Sequence, residues 1–81
     1  MDLGLKDQSV VITGGGSNIG RGIVHGFARE GARITIGDID TVQAEKTAEE
    51  ARALGAGAVQ VVKTDVTDLA QVQALFAAAN D

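Results

Sequence analysis

The chain has 81 residues, 11 acidic and 7 basic side chains, and a formal net charge of −4, so it lacks the cationic footprint that nucleic acids and anionic bilayers select. Cysteine, proline, tryptophan and tyrosine are absent and His25 is the single histidine, which excludes a disulfide framework and a thiolate or multi-histidine metal cluster. No apolar run approaches the roughly 20 residues of a spanning helix, and residues 1–6 lack a signal-peptide pattern, so the composition predicts one small domain in a reducing cytoplasm.

Ser9–Thr13 reads Ser-Val-Val-Ile-Thr, a β-branched run without polar alternation that predicts a strand covered on both faces. Glycines follow. From Ile19, apolar residues recur four apart at Ile19, Ile23 and Phe27, predicting the buried face of a helix that stops near Gly31. Gly22 and Gly26 sit beside that stripe and suggest close approach to a sheet. His25 falls off the stripe and reads as solvent-facing. Residues 33–37 supply a second strand.

Asp40 or Thr41 can cap the next helix, with Gln43 spaced as in a capping box and Ala44, Ala48 and Ala51 as a narrow buried stripe. Lys46 with Glu50, and Glu49 with Arg52, are spaced to pair on its solvated face. Residues 54–57, Leu-Gly-Ala-Gly, end that helix, and Ala58–Lys63 gives a third strand. Thr67 or Asp68 then caps a last helix through Leu69, Val72, Phe76 and Ala79.

Strands alternating with helices predict an α/β fold, a parallel sheet with right-handed crossovers and strand order 3-2-1. This is the first βαβαβα half of a three-layer, Rossmann-type dinucleotide fold, whose ligand lies beside the first strand. The half occupies residues 1–81, and the second half is missing.

Residues 13–20, Thr-Gly-Gly-Gly-Ser-Asn-Ile-Gly, join the first strand to the first helix. There a pyrophosphate would meet backbone N–H groups and the positive helix end. Glycine permits positive φ and lets a phosphate contact main-chain nitrogen without an intervening Cβ. The spacing fails the Gly-x-Gly-x-x-Gly fingerprint, since Ile19 stands at its last position. It also fails the Walker loop, since Arg21-Gly22 replaces Lys followed by Ser or Thr.

These residues resemble the short-chain dehydrogenase/reductase family, whose turn reads Thr-Gly-x-x-x-Gly-x-Gly. Thr13, Gly14 and Gly20 match it, and Asn18 replaces the middle glycine. Asparagine is the residue best able to occupy the left-handed region after glycine, and its side chain could add a contact to the pyrophosphate or crowd it. The resemblance implies that Gly14, Ser17, Asn18, Ile19 and Gly20 form the pyrophosphate cradle.

Asp38 lies at the end of the second strand, where a carboxylate can accept from the adenosine ribose hydroxyls and repel a 2′-phosphate; Asp40 ranks second. No arginine or lysine occurs at positions 14–20 or 38–45, so NAD(H) is expected over NADP(H). Asp65 and Val66 resemble the family's Asp-Val pair, which holds the adenine edge and packs its ring.

The resemblance places chemistry in a Tyr-x-x-x-Lys helix, a serine and an asparagine that have no counterpart in these residues. Ser9 begins a strand, Ser17 belongs to the turn, and Asn80-Asp81 does not match the family's Asn-Asn-Ala-Gly. The chain therefore reads as an amino-terminal piece of an NAD-dependent oxidoreductase acting on an alcohol or ketone, inactive alone. A non-catalytic dinucleotide-binding or structural fragment is the alternative. An unpaired first strand predicts weak stability or self-association, and the resemblance implies a homo-oligomeric parent.

Overall fold

The computed structural model describes residues 4–80, so the expectations for residues 1–3 and for Asp81 lie outside the described residues. In chain order the elements are β1 (Ser9–Thr13), α1 (Asn18–Arg29), β2 (Arg33–Asp38), α2 (Thr41–Leu54), β3 (Ala58–Lys63) and α3 (Leu69–Ala79). The strands form one parallel sheet with β2 in the middle. Its order β1-β2-β3 is the expected 3-2-1 seen from the other edge.

Register fixes the two faces. Val10, Ile34 and Val59 lie side by side, as do Ile12, Ile36 and Val61, and these pack against Val24 and Ala28 of α1 and Ala44, Ala48 and Ala51 of α2. Small alanines let α2 lie close to the sheet. On the opposite face Val11, Thr35 and Gln60 share a row. There α3 is fastened by Gln60 Nε2, which donates to Thr35 Oγ1 at 3.0 Å and to the Ala78 carbonyl at 2.9 Å. The layers are therefore two helices, sheet, one helix.

The rotation of α1 differs from the expected one. Gly20, Val24 and Ala28 are its buried residues, whereas Ile19 is 80% and Ile23 46% exposed, and of the expected stripe Phe27 alone packs, half-buried, against the core. The two rows are neighbours on the helix, and both recur every four residues. Contact with the preceding turn selects between them: a Cβ on Gly20 would stand 2.0 Å from the Gly14 carbonyl oxygen. Gly20 must therefore face the turn, and Val24 and Ala28 follow it onto the sheet. Gly22 and Gly26 border open space and mediate no close approach.

A similar shift occurs in α3. Leu75, not the Leu69 to Phe76 stripe, is its buried residue. Its side chain seats over Gly37 and Thr64, where the sheet presents little bulk.

Surface charges also pair differently than expected. Glu50 reaches across to α1, where Arg21 donates through Nε at 2.8 Å and through Nη2. His25 is half-buried and approaches the same carboxylate at 3.2 Å; it is not solvent-facing. An interhelical arginine offers two parallel N–H groups, which Lys46 one turn away cannot. Arg52 likewise turns from Glu49 to the Val59 carbonyl, at 2.9 Å.

Candidate dinucleotide site

Three loops meet at the carboxyl ends of the strands and enclose a cleft of about 280 Å³. The first supplies Thr13 and Gly14, the second Gly37, Asp38 and Ile39, and the third Thr64, Asp65 and Val66. Parallel strands joined by crossovers necessarily bring these ends together.

The glycine turn is closed from within. Gly14 has φ of +69°, a conformation that any side chain would strain. Its carbonyl accepts from the Ser17 amide at 3.0 Å and the Ser17 hydroxyl at 2.7 Å. The Ser17 hydroxyl oxygen in turn accepts from the Gly20 amide at 3.0 Å and caps α1. The Asn18 and Ile19 amides, at the start of α1, meet no acceptor among the described residues. These donors and the helix dipole create a positive end suited to an anion.

Asp38 fastens this turn to the second loop. One carboxylate oxygen accepts from the Gly16 amide at 2.8 Å, and the other from the Asp40 amide at 3.0 Å. Asp40 itself accepts from the Gln43 amide at 3.1 Å and is the cap of α2. The expected capping box is thus rearranged, with Asp38 in place of Gln43 satisfying the cap's own amide.

Across the cleft, Asp65 accepts from the Thr67 hydroxyl at 2.6 Å and the Thr67 amide at 2.9 Å. The hydroxyl, and after it the amide, hold this carboxyl below its usual range. Asp68, not Thr67, caps α3. Val66 stands 60% exposed at the rim.

Of the eight residues singled out in the sequence, Gly14, Asp38, Asp65 and Val66 line the cleft. Gly20 packs beneath the turn, Ser17 caps the helix, and Ile19 projects into solvent. Asn18 departs from expectation. It is the first residue of α1, and Asp7 is the one non-glycine with positive φ among the described residues. A helical start needs no left-handed residue. Asn18 lines a neighbouring groove between α1 and α2, not the cleft.

Ile39 and Thr64 also line the cleft and were not anticipated. Their signal was position alone, the residue after β2 and the residue after β3. Among the described residues no cluster of three or more histidine, aspartate or glutamate side chains could hold a metal. No described helix is long and apolar enough to cross a membrane.

The sequence profile of the short chain dehydrogenase family matches residues 8–81. Galactitol 2-dehydrogenase of Agrobacterium fabrum is 42% identical over 77 residues, covering 95% of this chain and 28% of that enzyme. A short-chain dehydrogenase/reductase from Burkholderia phymatum, solved in complex with NAD, superposes with a TM-score of 0.84 at 40% identity, covering 93% of this chain and 26% of that one. The 3-ketoacyl-(acyl-carrier-protein) reductase of Brucella melitensis, complexed with NADH, gives a TM-score of 0.80 at 36% identity, with coverage of 93% and 29%. The chain spans less than a third of the length of each of these proteins.

Proposed function

Because the chain belongs to the short-chain dehydrogenase family, we propose that it is the NAD(H)-binding portion of an oxidoreductase that transfers hydride between the cofactor and an alcohol or ketone. One observation carries this reading: the amino-terminal end of α1, with the Asn18 and Ile19 amides lacking acceptors, opens beside a cleft that Asp38 walls. The donor set and the glycine surface fit a diphosphate, and a carboxylate one strand away fits the adjoining sugar.

In this proposal Gly14, Ser17, Asn18, Ile19 and Gly20 build the pyrophosphate cradle. Gly14 and Gly20 shape it, Ser17 holds it closed, and the Asn18 and Ile19 amides donate to phosphate oxygens. Asp38 accepts from the ribose hydroxyls. Each of its oxygens already receives one N–H group and keeps a second lone pair for the sugar. Asp65 and Val66 hold the adenine edge and face. When bound, the nicotinamide ring supplies or receives the hydride.

The protein's own residues bind and orient; proton transfer belongs to residues outside these 81, which include no tyrosine. The chain taken alone is therefore an inactive dinucleotide-binding unit, the amino-terminal half of a Rossmann domain. A reducing cytoplasm is its proposed location, and the whole enzyme is proposed to be a homo-oligomer.

Calorimetric titration with NAD and NADP tests this reading. The expected outcome is binding of NAD with a preference of about tenfold over NADP, the scale of one charge-assisted hydrogen bond set against one repulsive contact. Equal affinities, or a preference for NADP, would refute the role given to Asp38.

A further inference from the structure

Between β3 and α3 the chain closes a turn in which the Asp68 amide donates to the Asp65 carbonyl at 3.0 Å. The Asp65 amide donates to Gln71 Oε1 at 2.8 Å, and Gln71 Nε2 donates at 3.2 Å to the carboxylate of Asp68, the cap of α3. The main chain of Asp65 is thereby pinned to the first turn of that helix.

Its side chain is held on one side only. Thr67 donates twice to Oδ1, from its hydroxyl at 2.6 Å and its amide at 2.9 Å, and these two bonds use both lone pairs of that oxygen. Oδ2 meets no donor, and the Val66 amide meets no acceptor, among the described residues. The charged groups around the turn are Lys63 at the end of β3, Asp38 across the cleft and Asp68, and none forms an ion pair with Asp65 among the described residues. The Thr67 hydroxyl, more than its amide, therefore keeps the carboxyl an anion that only accepts.

An open acceptor beside an open N–H fits one kind of purine edge. Adenine presents a 6-amino donor next to an N1 acceptor, whereas a 6-oxo purine reverses both. We propose that Thr67 is a positioning residue that sets the base specificity of the cleft, by occupying Asp65 Oδ1 and leaving Oδ2 as the acceptor for a purine 6-amino group. The inference rests on the dinucleotide reading, which gives the adenine to Asp65 and Val66, and deepens it: Thr67 acts through Asp65. Without the hydroxyl the carboxyl is free to rotate and protonates more readily, and its O–H then donates to a 6-oxo group.

The test compares T67V, which keeps the side-chain shape and loses the hydroxyl, with T67S, which keeps the hydroxyl, by titration with NAD and with nicotinamide hypoxanthine dinucleotide. Far-UV circular dichroism checks the fold, and T67A removes the same donor where T67V does not fold. The expected result is an NAD affinity about fivefold lower in T67V and within about twofold in T67S, while affinity for the hypoxanthine dinucleotide falls less than about twofold in either. In the free protein the Asp65 carboxyl-carbon resonance should titrate at a higher pH in T67V and at an unchanged pH in T67S. Equal losses for both dinucleotides in T67V, or an Asp65 titration that T67V leaves unmoved, overturns the proposal. Failure of the unsubstituted chain to bind either dinucleotide is a different result, which overturns the dinucleotide reading and base selection with it; the Asp65 titration needs no nucleotide and decides separately whether Thr67 holds the carboxylate.

Discussion

Gly20 and Gly14 meet so closely that a methyl group at position 20 would stand 2.0 Å from the Gly14 carbonyl oxygen. Backbone, not a flexible side chain, is the obstacle, so G20A must push α1 away from β1. Overpacking of this kind costs about 1–3 kcal/mol, and thermal unfolding of G20A should show a correspondingly lower midpoint together with loss of dinucleotide binding. An unchanged midpoint would mean that the turn is looser than its geometry indicates. Asn18 supports a second expectation. Because it is helical, a glycine there gains no conformational advantage, and N18G should leave NAD affinity within about twofold while slightly weakening the helix. A large gain in affinity would restore the left-handed reading. The place of Asp38 in the cleft was legible from sequence because it ends β2, whereas that of Asp65, two residues past β3, was read only from its resemblance to the family's Asp-Val pair. The conformation of Asn18 was not legible, because a one-residue shift of the helix start decides it.

At the level of elements, Ser9–Thr13 and Ala58–Lys63 were readable as strands from β-branched content between glycine and polar boundaries. The faces of α1 and α3 were not. A spacing of four describes both the Ile19 row and the Gly20 row, and only the contact between Gly20 and Gly14 chooses. Substitutions separate the two choices: L75A, at a side chain with no exposure, should cost about 2–5 kcal/mol, whereas I19Q, at 80% exposure, should change stability by less than about 0.5 kcal/mol. Chemical denaturation measures both, and the reverse ranking would contradict the packing described. The α1–α2 contact adds a pH dependence. Donation from Arg21, assisted by His25 and opposed by desolvation, holds the Glu50 carboxyl below its usual range. A carboxyl depressed on folding contributes stability above its unfolded value, about 4.3 for glutamate, and that contribution disappears as pH falls through the folded value. The fall in unfolding midpoint below about pH 4.3 should therefore be shallower in E50Q than in the unsubstituted chain. Identical acid profiles would show that the pair contributes nothing. This partnership was illegible because Glu50 has candidate cations both on its own helix and across the groove, and sequence spacing records only the first.

Over the whole molecule, the sheet ends at β1, which pairs with β2 alone among the described residues. Val11 is half-buried on the α3 face of that strand, and Ile19, Leu69 and Phe76 are largely exposed. An open strand edge beside apolar surface favours association, so sedimentation velocity should show a mean mass that rises with concentration. A single monomeric species across the micromolar range, with a sharp melt, would contradict that expectation. The alternation of strands and helices made the layered architecture legible, because parallel strands admit few connections. What covers β1 was not, since an edge is defined by what lies beyond it. The proposal that a diphosphate rests on the first turn of α1 is tested most directly by amide chemical shifts during titration with NAD. The account predicts that the Gly16, Asn18 and Ile19 resonances move first and furthest, with the largest changes abolished in G20A. Shifts confined to other regions, or none at saturating NAD, would contradict it.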